Sequence, residues 1–144
     1  MATSSAEARW EGTLKQGRGT MRLPSHGYEG PFTRGSRFEE EEGTSPEELL
    51  GAAQAGCFSQ FLAGLLSEAG YGPGVISTTA KVTIERVEGA PTITRIQLTT
   101  EADVPDLADD EFQDKLQQAK AQCPVSKALA NVAEVTATGT LQAS

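Results

Sequence analysis

Apolar and polar positions change period several times along this chain, and each change marks an element. Ala8 to Leu14 and Gly19 to Leu23 flank Lys15 to Arg18, with Gly17 in the turn, a pattern that predicts a hairpin. A Gly- and Pro-rich excursion, Pro24 to Pro31, precedes a third strand expected around Phe32 to Phe38. Glu39 to Glu42 form an unbroken acidic run, which reads as a solvated loop.

The pattern then becomes helical. Ser45 suits the N-cap, Pro46 the first helical position, and Glu48 completes an S-x-x-E capping box. A helix is expected from Leu49 to about Ala69, stopped by Gly70. Leu50, Gln54, Cys57, Phe58, Phe61, Leu62 and Leu65 recur at three and four spacing. Leu49, Ala52, Ala55 and Leu66 add apolar groups on further faces, so the helix is expected to be buried almost all round.

Period two follows. Ile76, Thr78, Ala80, Val82 and Ile84 share one face, and after a turn at Glu88 to Pro91 the positions Ile96, Leu98, Thr100, Ala102 and Val104 share another. These strands are expected to pair as an antiparallel hairpin. Asp109 or Asp110 can cap a helix through Phe112, Leu116, Ala119 and Lys120, and Cys123 can cap a short helix from Pro124 to Asn131. A last strand covers Glu134 to Leu141. The fold class is α+β, an antiparallel β-sheet with a long buried central helix. One small sheet covers one side of such a helix, so a second copy of the chain is expected on the other, in a two-fold homodimer with the long helices central.

Composition narrows the chemistry. The 144 residues carry 20 acidic and 12 basic side chains, a formal charge of −8, which argues against a nucleic-acid partner. The length suits a single domain over residues 1–144. No segment is expected to span a membrane, and no signal-peptide pattern precedes Arg18, so the expected location is cytoplasmic. His26 is the only histidine and sits in a loop-like stretch, so no multi-histidine metal centre can form within one chain, and no cofactor is expected.

Two cysteines remain, far apart in sequence and in neither a C-x-x-C nor a zinc spacing. Cys57, in the middle of the apolar helix, reads by itself as a small packed hydrophobe. Cys123, at a helix start, reads by itself as the better nucleophile, because free N–H groups there favour a thiolate. A disulfide between them is open too, reversible rather than structural in a reducing compartment.

The stretches Arg37-Phe38-Glu39 and Gly43-Thr44-Ser45-Pro46-Glu47-Glu48-Leu49-Leu50, continuing to Cys57-Phe58-Ser59, resemble the signature of the OsmC/Ohr family, the osmotically inducible protein C and organic hydroperoxide resistance proteins. Ala119 to Ser126, with Cys123-Pro124 inside it, is similar to the family's second cysteine site, and Ala8 to Gly12 and Glu68 to Tyr71 resemble the OsmC branch. The resemblance implies an intertwined homodimer and a thiol peroxidase that reduces organic hydroperoxides to alcohols. It implies Cys57 as the peroxidatic cysteine, Cys123 as the resolving one, Glu47 as the catalytic glutamate and Arg37 as its arginine, with Arg34 and Arg22 as competitors.

On that reading a guanidinium offsets the desolvation of Cys57 while staying charged at any working pH, and Glu47 orients it through a bidentate pair. The sulfenic acid formed on Cys57 condenses with Cys123, and an external dithiol reductant, a lipoylated protein or a thioredoxin-like one, restores both thiols. Phe58, Phe61 and Leu62 suit an alkyl tail. A non-enzymatic redox switch, or a dimer that binds an apolar ligand in its groove, is the reading from another class. Helix arithmetic adds one constraint: Glu47 and Cys57 lie about 15 Å apart along one helix, so a shared site needs Glu47 from the partner chain.

Overall fold

The computed structural model describes residues 1–142, and the chain forms two compact units that divide at Leu49/Leu50. The first is a meander of β1 (Glu7–Glu11), β2 (Arg18–Leu23) and β3 (Tyr28–Phe32), antiparallel in the order β1-β2-β3. Trp10, Gly19 and Phe32 share one register row. The two rings close over the glycine with centroids 5.4 Å apart, and a Cβ on Gly19 would meet both rings at 2.7 Å.

The third strand therefore lies earlier than its pattern predicts. Arg34–Phe38, where strand was expected, is a short helix, α1. Thr33 decides this: its hydroxyl accepts the Ser36 N–H at 3.0 Å while the Ser36 hydroxyl accepts the Thr33 N–H at 2.8 Å, a reciprocal cap that outweighs the β preference of Phe32 and Phe38. Glu39 to Glu42 are exposed, as a solvated loop requires.

Helix α2 spans Pro46–Glu68. The Ser45 hydroxyl accepts the Glu48 N–H at 3.0 Å, so the N-cap forms as expected. The capping box does not close, because the Glu48 carboxylate accepts the Thr44 hydroxyl at 2.8 Å instead. At the other end Gly70 takes φ 93°, Gly70 N–H donates to Ser67 and Tyr71 N–H to Leu66, the paired bonds of a glycine-terminated helix.

The second unit holds the body of α2 and a sheet of β4 (Ile76–Val87), β5 (Ala90–Ala102) and β6 (Glu134–Leu141). Glu88 and Gly89 form a two-residue turn with φ of 51° and 82°, which matches the twist of the flanking strands. Pro91, expected in the turn, already belongs to β5. The β4/β5 pair is antiparallel as predicted, but β6 pairs with β5 in parallel, which corrects the wholly antiparallel sheet. Parallel strands need a long crossover, and α3 (Asp109–Gln122) with α4 (Pro124–Ala128) supplies it. Ala108, not Asp109 or Asp110, occupies the α3 N-cap, and α4 ends before Asn131.

The core of this unit contains Phe58, Leu62 and Leu66 of α2, Ile96 and Leu98 of β5, and Phe112 and Leu116 of α3, all but fully buried. Each such side chain contributes about 1.5–3 kcal/mol of burial. Gly139 on β6 lets α3 approach, since a Cβ there would meet Phe112 and Leu116 at 3.0–3.2 Å. The amides of Gln113 and Gln117 donate to the Gly139 and Ala137 carbonyls and fasten the helix to the strand.

Within this chain α2 is buried along one stripe, Gly51, Gln54, Phe58, Leu62 and Leu66, rather than all round. Ala52, Gly56, Gln60 and Gly64, at helical spacing on another face, are exposed. By length and composition alone α2 is apolar enough to cross a membrane, with mean hydropathy 1.4 over its most apolar window, contrary to the expectation that no segment is.

Candidate active site

The four residues singled out in sequence fall into two pairs, one in each unit. In the first unit, Glu47 stands in the opening turn of α2, where free N–H groups favour a carboxylate. Its side chain is only 7% exposed. Arg37, near the end of α1, reaches it because the Ser36 hydroxyl donates to the Thr44 carbonyl at 2.8 Å and Thr44 N–H to the Pro31 carbonyl at 2.8 Å. These bonds tie α1 and β3 to the start of α2.

Arg37 Nε donates to Glu47 Oε1 at 2.6 Å and to Oε2 at 3.3 Å. The pair is therefore bifurcated from one nitrogen rather than a two-nitrogen fork. Nη1 and Nη2 have no hydrogen-bond partner among the described residues. Arg37 lies over the Phe38 ring, 5.1 Å from its centroid, and lines an apolar cavity of about 280 Å³ together with Trp10, Leu14, Phe32 and Phe38 among others. Arg34 also lines this cavity, yet it pairs with Glu39, and Arg22 pairs with Glu7 at 2.9 Å; both glutamates are about half exposed or more. Of the three candidate arginines only Arg37 has a buried acid as its partner.

In the second unit Cys57 and Cys123 are neighbours, both as free thiols. Cys57 is half-buried and opens on a cleft lined by Phe61, Leu65, Gln118, Gln122 and Pro124 among others. Burial pushes its thiol above the ordinary 9.0, and hydrogen bonding and charge interaction with Cys123 push the same way. A hydrogen bond from the Val125 backbone opposes them. Left to these influences, Cys57 is a thiol and not a thiolate at neutral pH.

Cys123 has no exposed surface. It caps α4 as expected, its sulfur accepting the Ser126 N–H at 3.4 Å, and it lies 2.9 Å from the Ser126 hydroxyl. That hydroxyl in turn accepts the Gln54 side-chain amide at 2.7 Å. Gln54 is wholly buried and its Oε1 has no partner among the described residues. Sequence reading passed over both residues. Signals were present: serine at the third helical position after a cysteine cap follows the spacing of a capping box, and a glutamine on the buried stripe of an apolar helix requires a polar partner.

Among the described residues no cluster of His, Cys, Asp and Glu suits a metal ion. Two thiols in contact, one opening on a cleft and one enclosed, can form a reversible disulfide, and a guanidinium with two free donors can bind an oxyanion.

Similar proteins carry the same architecture. A putative redox protein from Lactobacillus casei ATCC 334 superposes with a TM-score of 0.74 at 19% identity, over 100% of this chain and 95% of that one. The organic hydroperoxide resistance protein OhrB of Bacillus subtilis does so with a TM-score of 0.71 at 21% identity, over 96% and 98%. In sequence, the peroxiredoxin OsmC of Escherichia coli K12 is 45% identical over 124 residues, 85% of this chain and 87% of that protein. The family model described as OsmC-like protein matches residues 39–138, a span that takes in Glu47, Cys57 and Cys123, and the chain belongs to that family.

Proposed function

We propose that this protein is a cysteine-based peroxidase that reduces organic hydroperoxides to alcohols, working as a homodimer in the reducing environment of the cytoplasm. The observation that carries the reading is the contact between the two thiols, Cys57 at a cleft and Cys123 enclosed behind it. Membership of a family with relatives named peroxiredoxin supports it.

Cys57 must first become a thiolate against its own burial. The guanidinium of Arg37, turned by Glu47 and with both terminal nitrogens free, has the chemistry to favour that charge and to hold the peroxide oxygens. The Cys57 thiolate attacks the terminal peroxide oxygen, the O–O bond breaks, and the alkoxide leaves to be protonated as an alcohol. Arg37 stabilises the negative charge that develops on the leaving oxygen. The sulfenic acid on Cys57 then meets the Cys123 thiol, the S–S bond forms, and water departs. A dithiol, on a lipoylated or thioredoxin-like protein, takes the disulfide back to two thiols.

Dimerisation supplies what helix geometry forbids within one chain, since Glu47 and Cys57 stand about 15 Å apart along α2. The open face of α2, with Gly56 and Gly64 unobstructed, suits a second helix at close range. The test is consumption of cumene hydroperoxide with excess dithiol, compared with Cys57→Ser. Sustained turnover by the wild-type chain and none by the variant supports the proposal. Formation of the disulfide with no turnover would instead identify a redox switch.

A further inference from the structure

The chain of bonds from Gln54 through Ser126 ends on Cys123 and takes no part in the attack of Cys57 on the peroxide. Ser126 meets the Cys123 sulfur twice: its backbone N–H donates to the sulfur at 3.4 Å, and its hydroxyl oxygen accepts the S–H at 2.9 Å. While Cys123 is a thiol, its S–H can donate to the Ser126 oxygen. Once Cys123 carries charge, the hydroxyl proton turns to the sulfur, because the other side of that oxygen already accepts the Gln54 amide at 2.7 Å. Gln54 is itself held in place by complete burial on the inner stripe of α2.

A disulfide can be opened at either sulfur, and the better leaving thiolate is the one whose charge is better stabilised. Resting on the peroxidase reading above, we infer that Ser126, held by Gln54, is a positioning residue that makes Cys123 the leaving thiolate, so that the external dithiol attacks Cys57. Access agrees with electrostatics. In a single chain Cys123 has no exposed surface, whereas Cys57 opens on the cleft. The step balances. A thiolate of the reductant bonds to Cys57 Sγ, the S–S bond breaks, and its electron pair leaves on Cys123 Sγ. The second thiol of the reductant then displaces Cys57 and closes the reductant's own disulfide. Two electrons pass from reductant to protein, and the two protons of the dithiol end on Cys57 and Cys123.

The experiment uses the full chain in its disulfide form, made with one equivalent of cumene hydroperoxide or, separately, with diamide. A monothiol, glutathione, is added, the reaction is quenched in acid, and the mixed disulfide is located by peptide mass. It is expected on Cys57, and a mixed disulfide on Cys123 overturns the inference. Ser126→Ala, which loses the hydroxyl donor but keeps the N–H, is expected to slow reduction by dithiothreitol roughly tenfold, the scale of one hydrogen bond to a charged group. Oxidation by hydroperoxide is expected to slow far less, and Ser126→Thr to restore most of the reductive rate. Equal slowing of both half-reactions, or no slowing of reduction, also overturns it. If diamide forms the disulfide and hydroperoxide does not, the peroxidase reading fails by itself, and the location of the mixed disulfide still decides the inference.

Discussion

Arg37 holds Glu47 through a single nitrogen, Nε, and keeps both terminal nitrogens free. An arginine used only to neutralise a buried acid gains most from a two-nitrogen fork. Here Nε alone holds Glu47, in a residue that also lines an apolar cavity. Arg37→Met is therefore expected to slow the oxidation of Cys57 by hydroperoxide on the order of 10²–10³-fold, as loss of an oxyanion donor does. It should also cost about 1–3 kcal/mol in stability, because Glu47 is left buried without its partner. Arg34→Met and Arg22→Met break surface pairs worth at most about 1 kcal/mol and should leave the rate within a few-fold. Stopped-flow oxidation and urea unfolding of the three variants separate these outcomes.

The pH dependence of Cys57 follows from what surrounds it. Burial raises the thiol above 9.0, Cys123 adds to the rise, and the Val125 backbone alone lowers it. Reactivity resides in the thiolate, so the rate of alkylation rises as pH passes upward through the pKa of the folded protein. If the proposed dimer brings Arg37 of one protomer to Cys57 of the other, the inflection is expected to lie lower in the wild type than in Arg37→Met, because a guanidinium favours the charged form. Iodoacetamide labelling against pH, read by peptide mass at Cys57, measures both. Coincident inflections would remove Arg37 from the thiol's surroundings.

Much of this fold was legible from local rules. The period-two stretches around Val82 and Leu98, the turn expected over Glu88 to Pro91 and the glycine stop at Gly70 each depend on a few neighbouring residues, and each formed close to where it was read, although the turn is shorter and Ala90 and Pro91 join β5. What local rules could not supply was set by contacts between distant segments. The parallel pairing of β6 depends on α3 seating Phe112 and Leu116 against Gly139, and nothing near Glu134 announces its direction. At Arg34–Phe38 a local signal existed, the Thr33 and Ser36 cap, but the aromatic flanks masked it. The candidate site divides the same way. Cys57, Cys123, Arg37 and Glu47 stand in recognisable motifs, whereas Gln54 and Ser126 are joined only by the fold, across most of the second unit.

The exposed face of α2 makes opposing demands at Gly56. A Cβ there meets nothing within the chain, so Gly56→Ala should stabilise the helix of an isolated protomer by roughly 0.5–1 kcal/mol. If a second α2 packs against this face at backbone distance, the same methyl group, and still more the side chain of Gly56→Leu, weakens assembly. Sedimentation across a range of protein concentrations should show Gly56→Leu dissociating at concentrations where the wild type stays dimeric, with helix content by circular dichroism unchanged. A wild-type chain that sediments as a monomer throughout would remove the dimer.

Complementation tests whether one protomer completes the site of another. Glu47 and Cys57 are fixed about 15 Å apart along α2, a distance no glutamate side chain crosses. If both serve one reaction, the glutamate at one helix start acts with its Arg37 on the cysteine at the middle of the partner's helix. Cys57→Ser alone has no nucleophile, and Glu47→Ala alone leaves the guanidinium unoriented, so each homodimer should be close to inactive. A heterodimer of the two contains one site with every residue intact and one with both lesions. Co-refolding the two variants with different affinity tags, and isolating the doubly tagged species, should therefore recover up to about half of the wild-type activity per dimer, the share expected when one of two independent sites works. Glu48→Gln is the control. Its carboxylate is engaged with the Thr44 hydroxyl at 2.8 Å, so the variant should keep near wild-type turnover. Verified heterodimers without activity would confine Glu47 to a structural part at the start of α2, and Arg37 would then have to reach its substrate by another route.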